Sequence, residues 1–167
     1  MEQMKIVTNT SEWPALKREI KNIKEQGKTI VFTNGCFDGF HKGHQALLSF
    51  AKSHGDHVLI GLNSDNSVRR LKGPSRPLYD AETRARKLLQ SGHVDTVVLF
   101  DTPTPLELIC LVRPNVLVKG DDYNIETIVG AREVLQYGGV IRIFPRIPGY
   151  STSEILQAQE EKKDETI

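Results

Sequence analysis

Cysteine is scarce in this chain, tryptophan scarcer, and neither sign of charge predominates. The two cysteines, Cys36 and Cys110, are too few for a disulfide framework and form no Cys-x-x-Cys pair of the kind that holds zinc. No apolar run approaches the roughly 18 residues of a membrane span, and residues 1–10 lack the apolar stretch of a signal peptide. Lys and Arg number 22 against 21 Asp and Glu, a formal net charge of +1. A dedicated nucleic-acid binder usually carries a basic surplus, so the balance argues against that class. Internal repeats and low-complexity tracts are also missing. What remains is a chain of 167 residues, 38% hydrophobic, long enough for one domain with a core that needs no disulfide or metal staple. The expectation is a reduced, cytoplasmic protein whose partners include neither a membrane nor nucleic acid.

Short apolar runs alternate with helical periodicities. Ser11 can cap a helix marked by Trp13, Leu16, Ile20 and Ile23 and stopped at Gly27. Buried strands are predicted at 29–33, 57–62, 96–100, 116–118 and 140–144 from their branched and aromatic residues. Helices are predicted after the turn 34–39, from Asp80, from the Thr104-Pro105-Leu106-Glu107 capping box with Pro105 at its first position, up to the Gly138-Gly139 stop, and from Ser151. The segment 63–79 reads as a polar loop. Five strands with helical crossovers predict a Rossmann-like α/β fold, a doubly wound parallel sheet with helices on both faces. The domain boundaries expected are a helical extension over 1–28, the main domain over 29–157 and a charged tail over 158–167.

In such sheets a ligand sits outside the carboxyl ends of the strands, at the switch point. That singles out 33–44, 63–76, 119–123 and 145–153. His41 and His44, three apart at a helix start, share a face, beside amides and a positive dipole end that suit a phosphate. Gly43 leaves room for a bulky group against the backbone, and Lys52, two turns on, is expected to return to the side of His44 and reach the same anion. A solvated helix start or an adventitious metal site would show the same pair, but zinc needs further ligands and Asp38 alone is a poor supplement. Ser151 and Glu154 form a capping box, which is a structural reading as well as a phosphate-binding one. Arg69, Arg70, Lys72 and Arg76 make 63–76 basic, as a solvated loop would be or as an anionic substrate would require. Cys36 lies in the turn with no His–carboxylate pattern to make it a nucleophile, and His54, His57 and His93 read as surface or capping residues.

From about Ile30 to Leu156 the chain resembles the nucleotidyltransferases of the cytidylyltransferase-like superfamily, and among them the D-glycero-β-D-manno-heptose 1-phosphate adenylyltransferases. The likeness is carried by the run Thr33 to Asp38, by His41-Lys42-Gly43-His44 as the HxGH signature, and by Asn63-Ser64-Asp65, 67–73, Arg76-Pro77 and Arg84-Ala85. Thr104-Pro105, Val118-Lys119-Gly120, Asp122-Tyr123 and Gly130-Ala131 complete it. HxGH is specific only to the superfamily, and the Asn-Ser-Asp and Lys-Gly-x-Asp-Tyr contexts narrow it. The chain departs from the family at Asp121, where a second Gly is usual, at Ser151-Thr152-Ser153 in place of Ser-Thr-Thr, and over 79–92, where Arg84 nevertheless stays. These departures leave the reaction type and bear on the acceptor sugar and, less so, on the base.

The resemblance implies attack of a sugar phosphate oxygen on the α-phosphorus of ATP, with pyrophosphate expelled and ADP-heptose formed for lipopolysaccharide or surface-glycan synthesis. It casts His41, His44 and Lys52 as the catalytic cations and donors, and Mg²⁺ as the ion bridging the phosphates. Thr33, Asn34, Gly35, Cys36, Phe37, Gly43, Lys119, Asp122, Ser151, Thr152 and Ser153 go with the histidines to the nucleotide. Asp38, Asn63, Asp65, Lys72, Arg76 and Tyr123 go to the acceptor, and no metal-ligand set is expected of the protein itself. A homodimer is implied by the same likeness, and the length is expected to leave any heptose kinase step to another chain. Two other readings stand beside it: a cytidylyltransferase of the same fold using CTP and a small polyol or amine phosphate, and a nucleotide-binding regulatory module without turnover, against which the intact His pair argues.

Overall fold

The computed structural model describes residues 5–120 and 124–145. Six strands form one parallel sheet: β1 (Lys5–Val7), β2 (Ile30–Gly35), β3 (His57–Asn63), β4 (Thr96–Phe100), β5 (Val116–Gly120) and β6 (Val140–Phe144), in the order β1-β4-β3-β2-β5-β6. The central register sets Val31 beside both Val58 and Val116. Among the described residues the α-helices are α1 (Trp13–Glu25), α2 (Lys42–Ser53), α3 (Asp65–Lys72), α4 (Ala81–Gln90), α5 (Leu106–Val112) and α6 (Ala131–Gln136). The doubly wound α/β architecture is the expected one, with one strand more than five.

The additional strand is β1, which pairs with β4 from Lys5↔Thr96 to Val7↔Val98. Three residues are too few to show a period of two, so only the pairing partner reveals it. The helix α3 replaces the expected loop. Its sequence is polar and buries only Ser67 and Val68, which hid its periodicity, although Ser64 caps it by accepting the Ser67 amide and Gly73, at φ 101°, ends it. The helix α5 begins one residue later than expected, with Pro105 at its N-cap. The helix expected at Ser151 lies outside the described residues.

Side chains alternate across each strand and divide the core. Ile30 and Phe32 face α1, α5 and α6 together with Leu16, Ile20, Ile109 and Val134. Val31 faces α2 and α4 with Leu48, Ala51, Ala85 and Leu88. Each fully buried Leu, Ile or Phe contributes about 1.5–3 kcal/mol of transfer free energy. Gly61 makes the close fit possible, because a Cβ there would stand 2.8 Å from the Phe32 ring. The winding reverses between β2 and β5, so their carboxyl ends bound the crevice where a ligand belongs.

Candidate active site

Across that crevice the buried Lys119, near the end of β5, donates from Nζ to Oδ1 of Asn34 on β2. Burial pulls the Lys119 ammonium down to about 8. Thr33 is buried one residue before Asn34. The chain then turns sharply: Phe37 takes φ 47°, a left-handed conformation costing a bulky residue about 1–2 kcal/mol. Its buried ring lies 3.1 Å from where a Cβ on Gly35 would be and 5.2 Å, centroid to centroid, from the His44 ring. Strain of this kind persists where surrounding contacts over-determine it, commonly at functional sites.

His41 is the N-cap of α2. Its Nδ1 accepts the Gly43 amide at 3.0 Å, and Nδ1 of His44 accepts the His41 amide at 3.3 Å. The rings stack with centroids 3.8 Å apart. An Nδ1 that accepts carries no proton, so in both neutral rings the N–H is at Nε2. Burial, then the neighbouring His41 and Lys72, lowers His44 to about 3, and burial lowers His41 as well. At neutral pH both rings are therefore uncharged, each with its N–H at Nε2. The Gly43 amide, one of those at the helix start, is taken by His41.

The second strand end is organised by Arg84, from the first turn of α4. Its side chain is 1% exposed, and it donates to Tyr79 O at 2.9 Å, to Cys36 O and Asn63 O at 2.8 Å each, and to Asp65 Oδ1 at 2.6 Å. Arg84 has no role in the sequence pattern beyond the family likeness. Its position one turn into a helix that follows a strand-end loop was the available signal. Lys72, at the end of α3, is close enough to act electrostatically on both His44 and Cys36.

Other expected site residues are engaged elsewhere. Asp38 is 1% exposed, and its carboxylate accepts Arg76 Nε at 2.8 Å and the Leu78 and Tyr79 amides at 2.7 and 3.1 Å. Burial opposes its charge, but the Leu78 amide, Arg76 and the Tyr79 amide together hold its carboxyl below the ordinary value. Asp38 and Arg76 thus pin the 76–79 loop to the turn and are not open to a sugar, and Nη2 of Arg76 is buried with no hydrogen-bond partner among the described residues. Asn63 is buried, with its amide on Ser67 Oγ at 2.9 Å. Arg70 turns to Asp101 and Arg69 to Asn66.

Lys52 is the plainest correction. It sits in the last turn of α2, about 12 Å of helical rise beyond His44, and donates to Asp56 O at 2.6 Å and Asp95 Oδ2 at 3.4 Å. Both partners precede strands, at the amino edge of the sheet, so Lys52 cannot meet an anion held by the histidines. Burial pushes the Cys36 thiol up, away from thiolate character. Asp122, Tyr123, Ser151, Thr152 and Ser153 lie outside the described residues. A groove of about 660 Å³ between α1 and α5, lined by residues such as Lys17, Ile20 and Leu111, contains none of these site residues.

Among the described residues, then, the candidate site comprises the His41–His44 pair, Lys119 with Asn34, Lys72, and Arg84 with Asp65. The bifunctional protein HldE of Geobacter sulfurreducens is 50% identical over 134 residues, covering 80% of this chain and 27% of that protein. Its namesake in Methylobacillus flagellatus is 46% identical over 143 residues, covering 86% and 29%. The chain therefore spans less than a third of these curated relatives. In fold it is similar to the pantoate-beta-alanine ligase of Francisella tularensis, crystallised with beta-gamma ATP and beta-alanine, with a TM-score of 0.61, 18% identity and coverage of 87% of this chain and 69% of the other. A family model described as cytidylyltransferase-like matches residues 32–158, and with most of its length inside that match, the chain belongs to the cytidylyltransferase-like family.

Proposed function

We propose that this chain is a nucleotidyltransferase that joins D-glycero-β-D-manno-heptose 1-phosphate to the AMP moiety of ATP, releasing pyrophosphate and forming ADP-heptose for lipopolysaccharide or surface-glycan synthesis in the cytoplasm. The observation that carries the transferase reading is the stacked His41–His44 pair, each ring holding a backbone amide through Nδ1, at the carboxyl edge of a doubly wound sheet. The HldE likeness and the family motifs support the nucleotide and the sugar.

A phosphate monoester has a second pKa near 6 and is already a nucleophile at neutral pH, so the reaction needs no general base. Its oxygen attacks the α-phosphorus in line, the α–β bridging bond breaks, and the electron pair leaves with pyrophosphate. The protein's part is to position the reactants and stabilise charge. His41 and His44 donate from Nε2 to phosphate oxygens, and Lys72 and the Lys119 ammonium neutralise the charge that grows on them. Asn34 holds the Lys119 ammonium at the switch point. Thr33, Gly35 and Phe37 shape the turn against which the nucleotide lies.

Magnesium is implied by the resemblance. Among the described residues no group of three or more His, Cys, Asp or Glu could hold it, so we assign the ion to the triphosphate, where it would neutralise charge. The homodimer implied by the resemblance is supported by the large apolar side chains of Leu71, Leu78 and Tyr79, which stand in solvent near the site. Light scattering on the purified chain tests it.

Pyrophosphate release from each of four nucleoside triphosphates, against a panel of sugar and polyol phosphates, tests the main reading. ATP with the heptose 1-phosphate is expected to turn over fastest. Turnover confined to CTP and a polyol or amine phosphate would make this a cytidylyltransferase. Nucleotide binding without any turnover would make it a regulatory module.

A further inference from the structure

We propose that Arg84 is a positioning residue for the transfer, a buried clamp that sets the His41–His44 turn at a fixed distance from the helix carrying Lys72. The proposal deepens the transferase reading and rests on it for its kinetic arm alone.

The guanidinium joins three chain segments that share no strand. Through Cys36 O it holds the turn that begins after β2, one residue before Phe37, whose ring abuts His44. Through Asn63 O and Asp65 it holds the end of β3 and the first residue of α3, seven residues before Lys72. Through Tyr79 O it holds the loop that Asp38 anchors from the other side. A phosphate held between the two histidines and Lys72 would be gripped from two of these segments, and only their mutual placement puts both grips on the same group.

The residue type is demanded by that task. Arginine offers five N–H donors in a rigid planar fork and keeps its charge when buried, so one side chain can reach four acceptors in different directions. Lysine places three donors on one tetrahedral nitrogen and cannot span them. Burying a cation is costly unless its hydrogen bonds and charge are met. Here four acceptors, one of them the partly exposed Asp65 carboxylate, meet it. Arg84 itself is too deeply enclosed to touch a substrate, so its influence passes through the segments it holds.

The test compares wild type with Arg84→Lys and Asp65→Asn by thermal melting, by the ring ¹⁵N signals of the five histidines, and by pyrophosphate release. A positioning role predicts that the His41 and His44 signals move while those of His54 and His93 stay. It predicts kcat down about ten- to hundred-fold, the scale of an ångström's misplacement, with KM for the nucleotide within about threefold. If Arg84→Lys does not fold, Asp65→Asn, which removes one charge from a partly exposed side chain, must show the same pattern in weaker form. Unchanged His41 and His44 signals with unchanged kcat would overturn the proposal. So would all five histidines moving together with a fall in kcat that tracks the loss of melting temperature, since that is what a purely structural residue does. If the wild type itself released no pyrophosphate, the transferase reading would fail, and the histidine signals alone would decide whether Arg84 places the pair.

Discussion

Nδ1 of His44 accepts the backbone amide of His41, whose own Nδ1 accepts the amide of Gly43. A helix cap built from imidazoles does two things at once. It satisfies amides that the first turn would leave unpaired, and it fixes the tautomer that leaves Nε2 as a donor on each ring. Replacing His44 therefore removes a donor and a cap together. His44→Ala is expected to cut kcat by about 100-fold or more, as the loss of a transition-state donor does, and to lower stability by about 1 kcal/mol through the cap. Near wild-type turnover in a folded His44→Ala protein would exclude the pair from the chemistry.

The same burial makes stability depend on pH. His44 titrates near 3 in the fold against an ordinary value of 6.5, so between these limits the unfolded chain binds a proton that the folded chain does not. Stability is then full above pH 6.5 and declines as pH falls, by up to about 1.4 kcal/mol per unit, with His41 adding in the same direction. Denaturant unfolding at pH 7, 6 and 5 should show that slope, and His44→Gln should flatten it. An equal slope in the variant would place the effect elsewhere.

Lys119 predicts the alkaline limb of the rate profile. Its ammonium titrates near 8 in the unliganded protein because burial disfavours the charge. The acid limb belongs to the acceptor phosphate near pH 6. We expect kcat/KM to rise through pH 6 and fall through about pH 8, since that ratio reports groups of the free enzyme and free substrate. Lys119→Met should lower kcat/KM throughout and abolish the upper limb. Persistence of that limb in the variant would rule Lys119 out as its source.

Lys52 separates the tertiary structure from the sequence pattern. At 38% exposure its pairing with Asp95 is a surface contact, worth about 0–1 kcal/mol. Lys52→Ala is expected to leave kcat and KM unchanged and to shift the unfolding free energy by no more than that. A tenfold or greater loss of activity would restore it to the site.

Much of the architecture was legible because the core is built from strong periodic signals. The runs at 30–35, 57–63 and 96–100 are apolar on both faces, as strands under two helical layers must be. The Asp80 cap marked a helix limit from local chemistry alone, with the Asp80 carboxylate accepting the Thr83 amide at 2.8 Å. The edge strand β1 and the polar helix α3 lacked such signals. Three residues carry no period, and eight mostly polar ones hide their single buried side of Ser67 and Val68.

Scarce cysteine, balanced charge and the absence of long apolar runs already placed the chain among globular proteins and turned attention to its strand ends. The local order of residues determined which side chains stand there: Asn34, the His41–His44 pair, Asp65 and Lys119. What only the tertiary structure decided was which of them face a common space. Lys52 and His44 share a helix yet lie at opposite edges of the sheet, because rise along the axis separates them whatever face they occupy. Asp38 meets Arg76 across 38 residues and Arg84 meets Cys36 across 48. No spacing in the chain encodes such contacts, since burial leaves a charge no option but the acceptor that folding brings beside it.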